Sequence, residues 1–376
     1  MIFTLKHRDT PILRFEADPK AVPLRAHILD IVEDNGRLFP LGYALSDDGL
    51  CRWLRHRGIP RGRAYVERLL AKAGLSENRP FGVLVACRAL SLSDCFWVSA
   101  EGDSGTWASL NLFDNPFDEL VANIAFLGVG PSSGLRPSSS PEYTTDGSLP
   151  KCWRRENGDI WLYKAGSSGA SNAGREPFCE FFAWQVACAM GMNAVEYRLA
   201  RWKDRLCSVC RLFTSKELSF VPATHLGNDW DHVCNAFASF GPAFQDMLDD
   251  MMVFDAVILN KDRHLGNFGI LVDADTNIPL KPAPLFDHGY SLLTFAVDDD
   301  FADYSTLRGY ADTMQPKAPG GFVENAKRHL ADRHKAMLRG LGNFQFRQDG
   351  NFDFPQSHLD MLSSLVREQA QAILGN

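Results

Sequence analysis

The period of apolar residues changes several times along this chain, and each change marks an element. Leu45-Ser-Asp-Asp-Gly-Leu50 reads as a helix start capped by Ser46 or Asp47, with the helix running through Trp53 and Leu54. After Gly58-Ile-Pro60 a second helix is predicted, with Tyr65, Leu69, Leu70 and Ala73 on one face. Two apolar strands follow later, around Cys152-Trp153 and Ile160-Trp-Leu-Tyr-Lys164, joined by Glu156-Asn-Gly-Asp159. Asn-Gly between two such runs is a hairpin signal. From Arg175 to Met190 a helical period places Phe178, Phe182, Val186 and Ala189 together, and Gly191 stops it. Strands are predicted at Val195 to Trp202 and Leu206 to Phe213, then a long helix from Ala243 to Leu259. A short hairpin, Phe268 to Val272 with Pro284 to Phe286, is broken at Asp273-Ala-Asp-Thr-Asn277. Helices close the chain between about Gly321 and Ile373, with no internal repeat.

Gly128-Val-Gly-Pro-Ser-Ser-Gly-Leu-Arg-Pro-Ser-Ser-Ser-Pro141 has linker composition and separates an accessory region, 1–127, from the rest. The remainder divides into 142–213, with a small sheet and one helix, and a mainly helical 214–376. The expected fold class is therefore α+β, two-lobed, with an additional N-terminal α/β domain. The 376 residues are 45% hydrophobic and 23% charged, an ordinary globular profile with a sizeable core. A net charge of −7 gives no global attraction to nucleic acid or anionic lipid. Nine scattered cysteines point to reduced thiols, and neither a signal peptide nor a membrane-length apolar run is seen, so a soluble cytoplasmic protein is expected. Arg52, Arg55, Arg57, Arg61 and Arg63 cluster near one joint and read as a solvated face, or else as a partner-docking patch.

Candidate chemistry lies in the second half. Phosphoryl transfer from ATP requires a phosphate cradle, a cation on the phosphates, Mg²⁺ ligands and a carboxylate facing the acceptor hydroxyl. Asp262 and Asn267 share one loop directly after the long helix, in the Asp-x-x-x-x-Asn spacing that aims a carboxylate at the acceptor and an amide oxygen at a metal. Asp287 ends a short apolar strand and precedes His-Gly, where glycine permits the turn that points a carboxylate at Mg²⁺. Lys164 lies on a strand between apolar neighbours, a costly place for an ammonium unless an anion meets it. Glu180 on the next helix is its natural partner, with Glu176 the alternative. The loop Thr145-Asp-Gly-Ser-Leu-Pro-Lys151 precedes the strand pair, where a phosphate cradle belongs, although it lacks a Gly-x-Gly-x-x-Gly pattern. His264 belongs to the same catalytic group, either acting in catalysis itself or orienting Asp262, with orientation the favoured reading.

Asn260-Lys-Asp-Arg-His-Leu-Gly-Asn-Phe-Gly269, followed by Pro284-Leu-Phe-Asp-His-Gly-Tyr-Ser291, resembles the HipA-like serine/threonine kinases of bacterial toxin–antitoxin systems. Gly147-Ser-Leu-Pro-Lys151 is similar to that family's phosphate-loop segment, and the resemblance spans roughly 140–300. It implies a protein-kinase-like fold, ATP and Mg²⁺ as cofactors, and a protein serine or threonine as acceptor. It further implies that Lys164 holds the α/β-phosphates, that Glu180 orients Lys164, and that Gly147, Ser148 and Lys151 lie in the phosphate loop. Asp262 becomes the base or acceptor-orienting group, with Asn267 and Asp287 on Mg²⁺, while Val209, Arg211 and Phe213 flank the adenine hinge. Ser148 is the candidate for autophosphorylation, and an antitoxin or DNA-binding protein is the implied partner.

Two other readings stay open. The Asp262-Arg-His264 and Asn267 pattern is also that of phosphatidylinositol kinases, which admits a lipid or small-molecule acceptor. A kinase-fold module that binds without catalysing is the other. Asp273-Ala-Asp-Thr-Asn277 is read as a polar hairpin turn rather than a calcium loop, because Ile278 and Pro284 stand where Gly and Glu are required. Cys207 and Cys210 are read as core thiols rather than structural zinc ligands, since no second pair completes a site. The run Asp298-Asp-Asp300 is expected to be solvated.

Overall fold

The computed structural model describes every residue except 19–20, 33–35, 61, 73–79, 131–138, 171 and 376. Arg61, Ala73 and the centre of the Gly-Pro-Ser stretch therefore lie outside the described residues. The chain begins with β1 (Ile2–His7), β2 (Thr10–Ala17), β3 (Ala26–Ile31), α1 (Asp47–His56), α2 (Val66–Lys72) and α3 (Pro80–Cys87). It continues through β4 (Phe96–Ala100), α4 (Trp107–Leu110), α5 (Glu119–Leu127), β5 (Lys151–Glu156), β6 (Asp159–Ala165), α6 (Glu176–Met190), β7 (Tyr197–Trp202) and β8 (Arg205–Arg211). After β9 (Leu218–Pro222) come α7 (Ala223–Leu226), α8 (Trp230–Phe240), α9 (Pro242–Ile258), β10 (Gly269–Asp273) and β11 (Pro279–Pro282). Four helices end the chain: α10 (Tyr304–Asp312), α11 (Phe322–Arg328), α12 (Asp332–Gly340) and α13 (Gln356–Leu374).

These elements group into two compact units. The first comprises Met1–Lys164, Arg211–Val221 and Leu271–Leu280; the second comprises Ala165–Cys210, Pro222–Ile270 and Lys281–Asn376.

In the first unit an antiparallel sheet runs in the order β3-β2-β1-β4. Alternation along β1 sends Phe3 and Leu5 inward, where they meet Leu13 and Phe15 of β2 and Leu50, Trp53 and Leu54 of α1. The Ser46 hydroxyl caps α1 by accepting from the Gly49 N–H at 3.1 Å, as expected from sequence. Leu69 and Leu70 of α2 are buried against Val121, Ile124 and Ala125 of α5. Tyr65 does not join that helix: it precedes it with φ of +60°, so the chain turns there instead. The β5–β6 hairpin closes over Asn157 and Gly158, both at positive φ, which gives the Asn-Gly turn its twist.

The arginine cluster does not form one face. Arg57 is buried, ion-paired with Asp94 and stacked 4.7 Å from the Trp53 ring. Arg63 is buried among backbone carbonyls. Arg52 lies over Tyr43 at 5.0 Å and donates to the Gly42 carbonyl. Spacing along a turn does not distinguish inward from outward cations, and a buried carboxylate or carbonyl decides which way each points.

The second unit is built around α9, which is buried from Met251 to Ile258 and packs against α6, α8, α11 and α13. Its first half keeps a polar side with Asp246, Asp249 and Asp250, while its last two turns are enclosed on all sides at the centre of the helical layer. On α6 the buried face is Cys179, Phe182, Ala183, Val186, Ala187 and Met190, whereas Ala189 is exposed. The stripe is thus rotated from the predicted one, because the small residues Ala183 and Ala187 permit close approach. β7 and β8 form a hairpin whose turn, Lys203-Asp204, is left-handed at both residues. Cys207 and Cys210 are three positions apart on β8, which puts the thiols on opposite faces.

One predicted hairpin differs. The partner segment of β10 is β11 at Pro279–Pro282, directly after the turn, rather than Pro284 to Phe286. Asp273 closes that turn tightly: its Oδ1 accepts from the N–H groups of Asp275 and Thr276, and its own N–H donates to Ile278. Leu285 instead makes an isolated parallel bridge with Ala194, which redirects the chain toward Asp287.

Candidate active site

The Asp262 loop is organised by a side chain to which the sequence assigned no role. Helix α9 ends at Leu259, in the left-handed region with φ of +51°, and its last turn carries the buried carboxylate Asp255. A carboxylate at a helix C-terminus faces the wrong end of the dipole. Arg263 offsets this: its Nε and Nη2 donate to the two Asp255 oxygens at 2.8 and 2.9 Å, a bidentate pair only 2% exposed on the arginine side. The Asn260 amide adds a third bond to Asp255 at 3.0 Å, and its Oδ1 accepts from the Asp262 N–H. Burial opposes the Arg263 charge, but Asp255 outweighs it and the guanidinium is held above its ordinary range.

The third nitrogen of Arg263 joins two segments. Nη1 donates at 2.7 Å to the Asn267 carbonyl and at 2.7 Å to the Phe286 carbonyl. Asn267 and the residue before Asp287 are therefore fixed to one guanidinium nitrogen. The Asn267 side-chain NH₂ donates to the Asp262 carbonyl at 3.2 Å, which turns its amide oxygen the other way.

Asp287 has φ of +59°, with Leu292 and Leu293 also left-handed at +48° and +57°. Non-glycine residues in that region cost of order 1–3 kcal/mol each and persist where the surroundings enforce them. Here the Asp287 N–H donates to the Tyr197 hydroxyl at 3.0 Å and the Leu292 N–H to the Ile258 carbonyl at 2.7 Å. His288 is fully buried, edge-on to Phe254, and its Nδ1 lies 3.1 Å from Arg263 Nη2. Because a guanidinium only donates, Nδ1 accepts and the imidazole is neutral with its proton on Nε2.

His264 is placed by its own loop: its Nδ1 accepts from the Gly266 N–H at 3.1 Å, and its N–H donates to the Asp262 carbonyl. The ammonium of Lys317 lies 2.5 Å from the Asp262 carboxylate. On α6, Glu180 is buried and accepts from the Ser208 hydroxyl of β8. Glu176, the alternative, accepts from the Ser167 N–H and so belongs to the loop before α6. Val209 is buried on β8.

The other predicted residues lie in the first unit. Lys151 and Lys164 stand directly opposite each other in the β5–β6 register, and both are buried. The Lys151 ammonium donates to the Asp146 carbonyl at 2.7 Å and folds the loop over Gly147. Gly147 has φ of +92°, and a Cβ there would sit 2.1 Å from the Lys151 nitrogen. Gly147→Ala is therefore expected to open this loop, read as faster amide exchange over 146–151 with the core unchanged. Ser148 is exposed, while its carbonyl accepts from the Ala64 N–H. Arg63 holds both ends of the loop, donating to the carbonyls of Thr145 at 2.6 Å and Lys151 at 3.1 Å. Complete burial pushes its pKa down to about 10. Arg211 pairs with Asp159 at 2.5 Å, and Phe213 packs edge-on against Phe220.

Sequence reasoning missed Asp255, Arg263 and Arg63. A legible signal existed for the first: an aspartate within the most apolar stretch of α9 demands a cation nearby. Arg63 left none, since its acceptors are backbone carbonyls more than eighty positions away.

The α+β organisation is that of a kinase-like fold. Among solved structures, HipA from Shewanella oneidensis MR-1, determined with HipB and its operator DNA, aligns over 99% of this chain and 97% of its own at 14% identity and a TM-score of 0.58. The Helicobacter pylori proinflammatory kinase CtkA aligns over 61% of this chain and 90% of its own, with 18% identity and a TM-score of 0.49. The chain thus shares the fold of HipA along nearly its whole length. No family model and no curated protein matches the sequence.

Proposed function

We propose that this protein is an ATP- and Mg²⁺-dependent kinase that phosphorylates a serine or threonine hydroxyl of a protein. The observation that carries the proposal is the Arg263 hub, which ties Asn267 and the Asp287 turn to one nitrogen while Asp262 stays at the surface of the same loop. Such an arrangement fits two metal-directed groups and one acceptor-directed carboxylate. The HipA fold supports the same reading.

The donor set fits Mg²⁺. This ion uses one or two carboxylates together with substrate phosphates rather than an all-protein cage. Asn267, with its amide oxygen turned away from the loop, and Asp287, held at a strained turn, are the residues that would hold it. When bound, the ion neutralises the β- and γ-phosphate oxygens as charge moves onto them. Lys164, buried on β6 opposite Lys151, is assigned to the α/β-phosphates. Glu180 is assigned to orienting Lys164. Asp262 orients the acceptor hydroxyl and takes its proton as the oxygen–phosphorus bond forms and the β–γ bridge breaks, releasing ADP. The exposed Ser148 on the phosphate loop is the proposed autophosphorylation site. A cytoplasmic setting and an antitoxin or DNA-binding partner are proposed from the likeness to HipA, whose structure contains HipB and DNA.

Incubation with γ-labelled ATP and Mg²⁺, followed by mass spectrometry, tests the reading. Label on serine or threonine of this chain or an added protein supports it. Label on a lipid or small alcohol instead moves the acceptor class, and no label with no Mg·ATP stabilisation sinks the kinase assignment.

A further inference from the structure

We infer that Lys317 is a further catalytic residue, an ammonium that bridges the Asp262 carboxylate and the phosphoryl group in flight. The inference rests on the kinase reading above. Its basis is the 2.5 Å pair between Lys317 Nζ and Asp262 Oδ1. Lys317 lies on the loop after α10, in the run Gln315-Pro316-Lys317-Ala318-Pro319. Proline on either side fixes the backbone, and Ala318 between them is buried, so the loop is anchored where the lysine emerges. The Lys317 side chain is half exposed and Asp262 is 26% exposed.

An isolated surface ion pair of this kind contributes little to stability. Its placement is what matters. The ammonium lies against the carboxylate assigned to the acceptor, where a third, negative group can share the cation. Transfer of a phosphoryl group spreads charge over three equatorial oxygens, and cations aimed at them account for factors of about 10³ or more. A lysine carries three donors and no acceptor, so one can stay on Asp262 while another reaches a γ-oxygen. In the resting enzyme the pair aligns Asp262; during transfer Lys317 meets the developing charge and Asp262 the acceptor proton.

The test compares Lys317→Met and Lys317→Arg with the wild type in steady-state γ-labelled ATP transfer, alongside thermal shifts with MgADP alone and with MgADP plus aluminium fluoride, a planar phosphoryl mimic. For Lys317→Met the expected result is a kcat lower by about 10²-fold or more, with KM for ATP within about threefold, as for loss of one charge-stabilising donor. Stabilisation by MgADP is retained and the added stabilisation by fluoroaluminate is lost. Lys317→Arg restores at least a tenth of the rate. A Lys317→Met enzyme as fast as the wild type leaves only a surface pair, and a faster one makes Lys317 a plug over the acceptor site; either overturns the inference while the kinase reading stands. A rise in KM with unchanged kcat also overturns it. If the wild type itself neither transfers label nor responds to MgADP, both readings fall together.

Discussion

Asp287→Asn is expected to reduce label transfer by about 10³-fold or more and to abolish stabilisation by Mg·ATP. Its backbone N–H carries the bond to Tyr197, which the substitution leaves in place. The substitution keeps size and shape and removes the charge that a hard cation requires. Asp262→Asn is the informative companion: transfer falls comparably, but Mg·ATP still stabilises the protein, because the role proposed for this carboxylate is at the acceptor rather than the metal. Equal loss of nucleotide stabilisation in both variants overturns the division of roles between them.

Arg263→Met is expected to damage the fold itself. It strands the buried Asp255 carboxylate at the end of α9 and frees the carbonyls of Asn267 and Phe286. Removing one partner of a buried ion pair costs about 3–5 kcal/mol, and the two backbone bonds add to that. Chemical denaturation shows this as a lower midpoint. The double variant Arg263→Met, Asp255→Leu recovers much of the stability, since no charge is left uncompensated. It does not recover transfer, because nothing then ties residue 267 to residue 286. Recovery of activity in the double variant shows that the pair acts only through stability.

Several elements of both units were legible because they carry strong local signals. The Asp262 loop follows a long apolar helix, and Gly191, Asn157-Gly158 and Ser46 each end or begin an element by their own chemistry. What escaped was set by partners distant in sequence. Rotation of the α6 stripe depends on which small residues admit a neighbour, and Ala189 against Ala187 looks equivalent in a linear pattern. The β10 partner was misplaced because Pro284-Leu-Phe286 is more strand-like than Pro279-Leu-Lys-Pro282, yet turn geometry at Asp273 fixes the register first. Arg57 and Arg63 read as surface charge, although each is itself buried against an acceptor. At the candidate site, the residues assigned to chemistry have recognisable spacing. Those that hold them, Asp255 and Arg263, matter through a geometry that no spacing rule records.

The contacts of Arg63 bear on how this protein can be dissected. A fragment beginning after the Gly-Pro-Ser stretch, which the sequence marks as a natural place to cut, removes the guanidinium that holds the carbonyls of Thr145 and Lys151 and the N–H of Ala64 that holds Ser148. The loop it leaves keeps every residue type assigned to it but none of these three restraints. The first 127 residues are thus part of the loop's own framework rather than a detachable appendage, and a partner that grips them has a direct mechanical handle on the segment bearing Ser148.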